Sequence, residues 1–137
     1  MKAFNYLIPF VLGLTLVVAC REDEETNSKK EILASKSWKV STYKVNGEEM
    51  ALMDCQKDNY ITYDANGTYI DYVGTIKCSI SETNINGTWT LSDDGKILSL
   101  VSIQGVQSAS VEITESKLVL TITDDADIIV ITCVPYL

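Results

Sequence analysis

From Trp38 to the C-terminus the sequence alternates short apolar runs with turns written in asparagine, aspartate and glycine. "SWKVSTYKVNG" stops at Asn46-Gly47. "NYITYDANGTYIDYVG" sets two runs of β-branched and aromatic residues on either side of Asn66-Gly67. That is a strong hairpin signal, because asparagine and glycine accept the positive φ that tight turns need. "NINGTWTLSDDGKILSLVSI" turns at Asp93-Asp94-Gly95. "ASVEITESKLVLTITDDADIIVITCV" turns at Glu115-Ser116-Lys117 and again over Asp124–Asp127. The count is about eight strands, joined mostly by short connections, with a longer excursion over 46–58. Only 29–35 ("KKEILAS") and 48–55 ("EEMALMDC") read as helical. The fold class is all-β.

Face by face, the alternation narrows this further. Trp38, Val40 and Thr42 share one face of the first strand. Leu98 and Leu100 oppose Ile97, Ser99, Val101 and Ile103, while Leu118, Leu120 and Ile122 alternate with Val119, Thr121 and Thr123. Strands apolar on both faces do not suit a sheet with one wet side. Consecutive antiparallel strands with a common inner face predict a small up-and-down β-barrel with a short N-terminal helix, the alternative being a β-sandwich. Tyr60, Tyr63, Tyr69 and Tyr72 crowd one hairpin. Spacings of three within each strand put Tyr60 opposite in face to Tyr63, and Tyr69 opposite to Tyr72, so half of them point inward. "NGTY" (66–69) and "NGTW" (86–89) both read as turns whose aromatic begins the next strand's packing.

Residues 1–19 form a different kind of segment: one basic residue, Lys2, then an apolar run ending in Ala19, the form of a secretory signal. Val17-Val18-Ala19-Cys20 resembles the bacterial lipobox. The resemblance implies cleavage before Cys20 and a diacylglycerol on its thiol, with the membrane as a partner through that lipid. Arg21 to Lys30 holds no apolar residue, so 20–30 is expected to be an acidic, solvated tether to a domain spanning 31–137. Acidic residues close behind the cysteine resemble the surface-export signal of Bacteroidetes lipoproteins. The expected location is therefore the outer membrane, cell-surface exposed, with a periplasm-facing protein as the alternative.

The composition excludes more than it selects. The net charge of −8, with one arginine and no basic stripe, argues against a nucleic-acid partner. The absence of histidine removes the commonest general base and metal ligand. Cys55 and Cys78 lie in polar connections and are expected to pair in an oxidising compartment. A bridge to Cys133, which sits in the apolar run "IIVITCVPYL", stays open. No metal site, cofactor or catalytic set is expected. The cysteine spacings do not match zinc sites, and Asp93-Asp94 and Asp124-Asp125 read as turn chemistry.

With these residues in place, the pattern resembles the lipocalin-like lipoprotein domains common in Bacteroidetes. It has a helical lead into a first-strand tryptophan ("ILASKSWKV"), a cysteine before the second strand ("MDCQKDNYITYDANGTY") and another after the third ("TIKCS"). A tryptophan strand and hairpin follow ("NGTWTLSDDGKILSL"). Two features depart from the pattern. Lys36 stands where the lipocalin Gly-x-Trp motif has glycine, and the arginine that packs over the tryptophan in lipocalins has no counterpart, since Arg21 lies in the acidic segment. The resemblance implies a non-enzymatic module that binds a small apolar or amphipathic molecule inside the barrel, near Trp38, Tyr69, Trp89 and Leu120. The alternative is a surface module with a side-chain-filled barrel that contacts proteins or glycans through loops and an outer face.

Overall fold

The computed structural model describes residues 20–137, with side chains from Glu24 onward in the first helix. Residues 1–19, read above as a secretory signal, and the thiol of Cys20 lie outside the described residues. The elements are α1 (Cys20–Ala34), β1 (Ser37–Val45), β2 (Glu48–Met50), α2 (Asp54–Lys57), β3 (Tyr60–Tyr63), β4 (Thr68–Tyr72), β5 (Ile85–Leu91), β6 (Ile97–Ser102), β7 (Gly105–Thr114), β8 (Lys117–Asp124) and β9 (Asp127–Tyr136). Each of β3 to β8 pairs antiparallel with the next. β9 returns to β1 in register from Ser37↔Tyr136 to Val45↔Ile129. β1 also pairs with β3, which closes an eight-stranded barrel with β2 as an extra edge strand. Because one sheet closes on itself, the sandwich alternative falls.

Most turns stand where asparagine, aspartate and glycine put them. Asn46 (φ 51°) and Gly47 (φ 86°) both take positive φ in the two-residue β1–β2 turn, and Gly67, Gly95 and Asp125 do the same in theirs. Asn86-Gly87 differs from expectation, lying inside β5 with Gly87 paired to Tyr69 and Ser102. A Cβ there would stand 2.2 Å from the Val101 carbonyl oxygen and 2.5 Å from the Tyr69 ring. Close packing, not turn geometry, explains this glycine.

Three further expectations are corrected. Residues 48–55 are not one helix: 48–50 add to β1 as β2, and a single helical turn follows at Asp54–Lys57. A bulge between Val40 and Thr42 shifts the register, so Tyr43 rather than Thr42 stands opposite the inward Ile131. The acidic segment 20–30 is helical within α1 rather than an unstructured tether. Composition overlooked that short polar groups can dock. The Thr26 hydroxyl donates to the Asp93 carbonyl at 2.7 Å and is buried there, and Lys29 pairs with Glu25 one turn earlier. The last turn carries Leu33 into the core with no exposed surface, a burial worth about 2 kcal/mol.

Candidate ligand-binding site

Inner-facing side chains divide the barrel into a filled end under α1 and a hollow end opposite. Leu33, Trp38, Leu98 and Leu118 plug the filled end, with Tyr63, Tyr69, Trp89, Leu91, Val111 and Ile113 around them. Both indoles are satisfied. Trp38 Nε1–H donates to the Leu33 carbonyl at 3.0 Å, and Trp89 Nε1–H to the Asp64 carbonyl at 2.9 Å. Trp89 also meets Tyr63 edge-on, ring centroids 5.8 Å apart. Lys36, the residue in the glycine's place, holds its ammonium 5.7 Å from the Trp38 ring centre and donates to the carbonyl and carboxylate of Glu115. A cation therefore does cover the first-strand tryptophan, supplied from its own strand's approach.

Toward the other end the same strands carry aliphatic residues that leave space. Leu98, Leu100, Leu120, Ile122, Ile129 and Ile131 wall a hollow of about 460 Å³. A second, of about 160 Å³, runs from Val40 and Ile61 past Leu100 and Leu120 over Trp38 and Cys133. A third, of about 70 Å³, lies between Tyr69, Ile85, Leu100 and Gln107. The three adjoin along Leu100 and form an apolar space of the size small-molecule sites require. A groove of about 590 Å³ also runs outside the wall, beside Lys29, Lys96 and Glu112. Its lining carries four charged side chains, Lys29, Asp94, Lys96 and Glu112, which makes it a poorer seat for an apolar molecule than the aliphatic space inside.

Two carboxylates border this apolar space: Asp124, exposed at the rim of the largest hollow, and Asp71, half-buried beside the two smaller ones. Asp71, two residues beyond Tyr69 and on the same face, stands opposite Ile61 and Ile85. It borders the two smaller hollows and a polar cleft of about 540 Å³ under the 73–84 loop. Burial, with the charge of Glu82 behind it, raises its carboxyl above the usual carboxylate range. Burial likewise pushes the Cys133 thiol up to about 12, Asp71 adding to the effect, so the thiol stays protonated and unreactive. The Tyr63 hydroxyl is raised too, again chiefly by burial.

Of the residues singled out in the sequence, Trp38 and Leu120 border the hollow and Tyr69 the small side pocket, while Trp89 lies in the packed end. Cys55 and Cys78 are bonded, and Cys133 is free and buried. The tyrosines split as their spacing requires, Tyr63 and Tyr69 inward, Tyr60 and Tyr72 outward. Tyr136 completes an outer ladder, with centroids 4.7 Å apart for Tyr60–Tyr72 and 4.5 Å for Tyr60–Tyr136. Among the described residues no three metal-ligating side chains converge, and the Asp94 carboxylate is occupied by the Ser92 hydroxyl and the Lys96 amide. Asp71 escaped the sequence reading. Its signal was a carboxylate in phase with an inward tyrosine in "TYIDY".

No curated protein matches the chain. Residues 35–120, from the lead into β1 to the middle of β8, match the lipocalin-like domain, a fold that generally binds small molecules rather than catalysing reactions. With a closed eight-stranded barrel, an apolar interior and that match over most of its length, the chain belongs to the lipocalin-like domain family.

Proposed function

We propose that this is an exported lipoprotein of the Bacteroidetes type, non-enzymatic, that carries a small apolar or amphipathic molecule in its barrel. The observation that carries the reading is the aliphatic hollow of about 460 Å³ above a fully packed floor. Leu120 and Trp38 border the bound molecule, Tyr69 closes its side pocket, and Trp89 supports the floor. Native mass spectrometry on protein purified from its own host tests this. A small molecule that co-purifies and is lost on denaturation is expected. A clean protein mass, with no binding of added amphiphiles, would overturn the reading.

The anchor rests on the sequence around Cys20, and the acidic residues behind it support display on the outer surface of the outer membrane. Cys20→Ser is expected to move the protein out of the membrane fraction, and protease added to intact cells to remove it. Persistence in the membrane would refute the anchor, and protection from protease would favour the periplasmic face. Contact with a surface protein or glycan draws on the outer tyrosines. Their ring faces are spent on each other and, at Tyr136, on Lys39 5.7 Å from the ring centre, which favours the interior as the binding site.

A further inference from the structure

We infer that the barrel selects amphipathic cations, the apolar body lying against Leu100, Leu120 and Ile131 and a protonated amine resting on the Asp71 carboxylate. The inference deepens the binding reading above and depends on it. Its basis is where Asp71 sits and what it lacks. The residue stands at the junction of the two smaller hollows and the polar cleft, so a ligand head placed there faces a carboxylate on one side and the cleft's polar groups on the other.

No lysine or arginine borders any of those three spaces. Among the described residues the three salt bridges lie elsewhere, at Glu25, Asp54 and Glu115. No hydrogen bond to Asp71 offsets its desolvation, whose effect on the carboxyl Glu82 only reinforces. Asp71 is half-buried, and a partly desolvated carboxylate with no cation or hydrogen-bond donor beside it is disfavoured in its charged form. A ligand ammonium supplies the missing partner through charge-assisted hydrogen bonds. A ligand carboxylate would meet like charge, and a neutral alcohol would forgo the ion pair. The apolar walls then set the body of the ligand, an alkyl chain or an aromatic ring.

The test uses the chain from residue 20 onward with Cys20→Ser, which keeps α1, the whole barrel and the disulfide. Three probes of equal length, n-decylamine, n-decanol and n-decanoate, are titrated by calorimetry at neutral pH and moderate salt. The amine should bind about tenfold more tightly than the alcohol, as a buried charged hydrogen bond implies, and decanoate most weakly. Asp71→Asn, which preserves shape, should bring amine and alcohol to similar affinity while leaving alcohol binding in place. Equal binding of the three heads by the native side chain would overturn the inference and leave the cavity reading standing. So would an amine preference that survives Asp71→Asn. No binding of any probe would overturn both. The head-group comparison in the unsubstituted barrel decides the question even if the variant folds poorly.

Discussion

The two ends of the barrel are made by the same strands, yet one is solid and the other hollow. Along β8, Leu118 is fully buried at the α1 end, while Leu120, pointing the same way two residues on, borders open space. Along β4, Tyr69 closes the packed end and Asp71 enters the cavity. Large aromatics fill one half, and aliphatics too small to meet across the barrel leave the other empty. The hollow half forgoes that burial and is tied by other means. The Cys55–Cys78 bridge joins α2 to the 73–84 loop, whose backbone amides at Val73, Gly74 and Ile76 donate to the side chains of Asn84, Asn59 and Asp58. Stability is concentrated at one end so that the other can be kept open.

The sharpest way to break this contrast is to truncate the two β8 leucines. Leu118→Ala should cost about 3–4 kcal/mol in urea unfolding, a cavity in a packed core. Leu120→Ala should cost about 1 kcal/mol, since its neighbours already leave space. Equal costs would mean that the ends do not differ. Next comes the bridge. Cys55→Ser should lower stability by roughly 3 kcal/mol on the loop-closure estimate. Hydrogen exchange should rise first in α2 and 73–84 while amides around Trp38 and Leu118 stay slow. Loss of protection at both ends together would erase the distinction.

Asp71 sharpens it in the opposite direction. Its carboxyl is raised in the folded state, so the folded protein binds its proton more tightly than the unfolded chain. Above the folded value the ionised group destabilises the fold, and the penalty is relieved as pH falls toward the ordinary carboxylate range near 4. Asp71→Asn should therefore raise stability by on the order of 1 kcal/mol at neutral pH, with the gain fading on acidification. A destabilised variant at neutral pH would mean the carboxylate has a stabilising partner. The smallest effect is expected at the solid end's rim. Lys36→Ala, removing the cation over Trp38, should cost about 0.5 kcal/mol, measured by thermal unfolding.

Much of the architecture was legible before any tertiary contact. The two-residue period sorted Tyr63 and Tyr69 from Tyr60 and Tyr72, and Leu98 from Ile97, because a strand's faces alternate whatever surrounds it. The cysteines in polar connections favoured the Cys55–Cys78 pair, and the structure decided it by leaving Cys133 free in the core. The readings that failed involve partners distant in sequence. Asn86-Gly87 carries turn composition but lies in β5 because Tyr69 needs the space over Gly87. The acidic segment before Ile32 lacks a hydrophobic face, yet the Asp93 carbonyl 67 residues away receives Thr26. Asp71 passed as one acid among 19.

What the sequence determined by itself is local: the eight strands of the barrel, most turns, which face each side chain takes, and the apolar run that stops before Cys20. Each follows from the geometry of a few consecutive residues. Only the tertiary structure decided that β9 closes on β1, that α1 seals one end, and that Asp71 stands with no cation beside it where the apolar hollows meet the polar cleft. Those depend on which inner faces meet across the barrel and how far their side chains reach. Alternation gives a side chain its direction, and closure decides what it meets there.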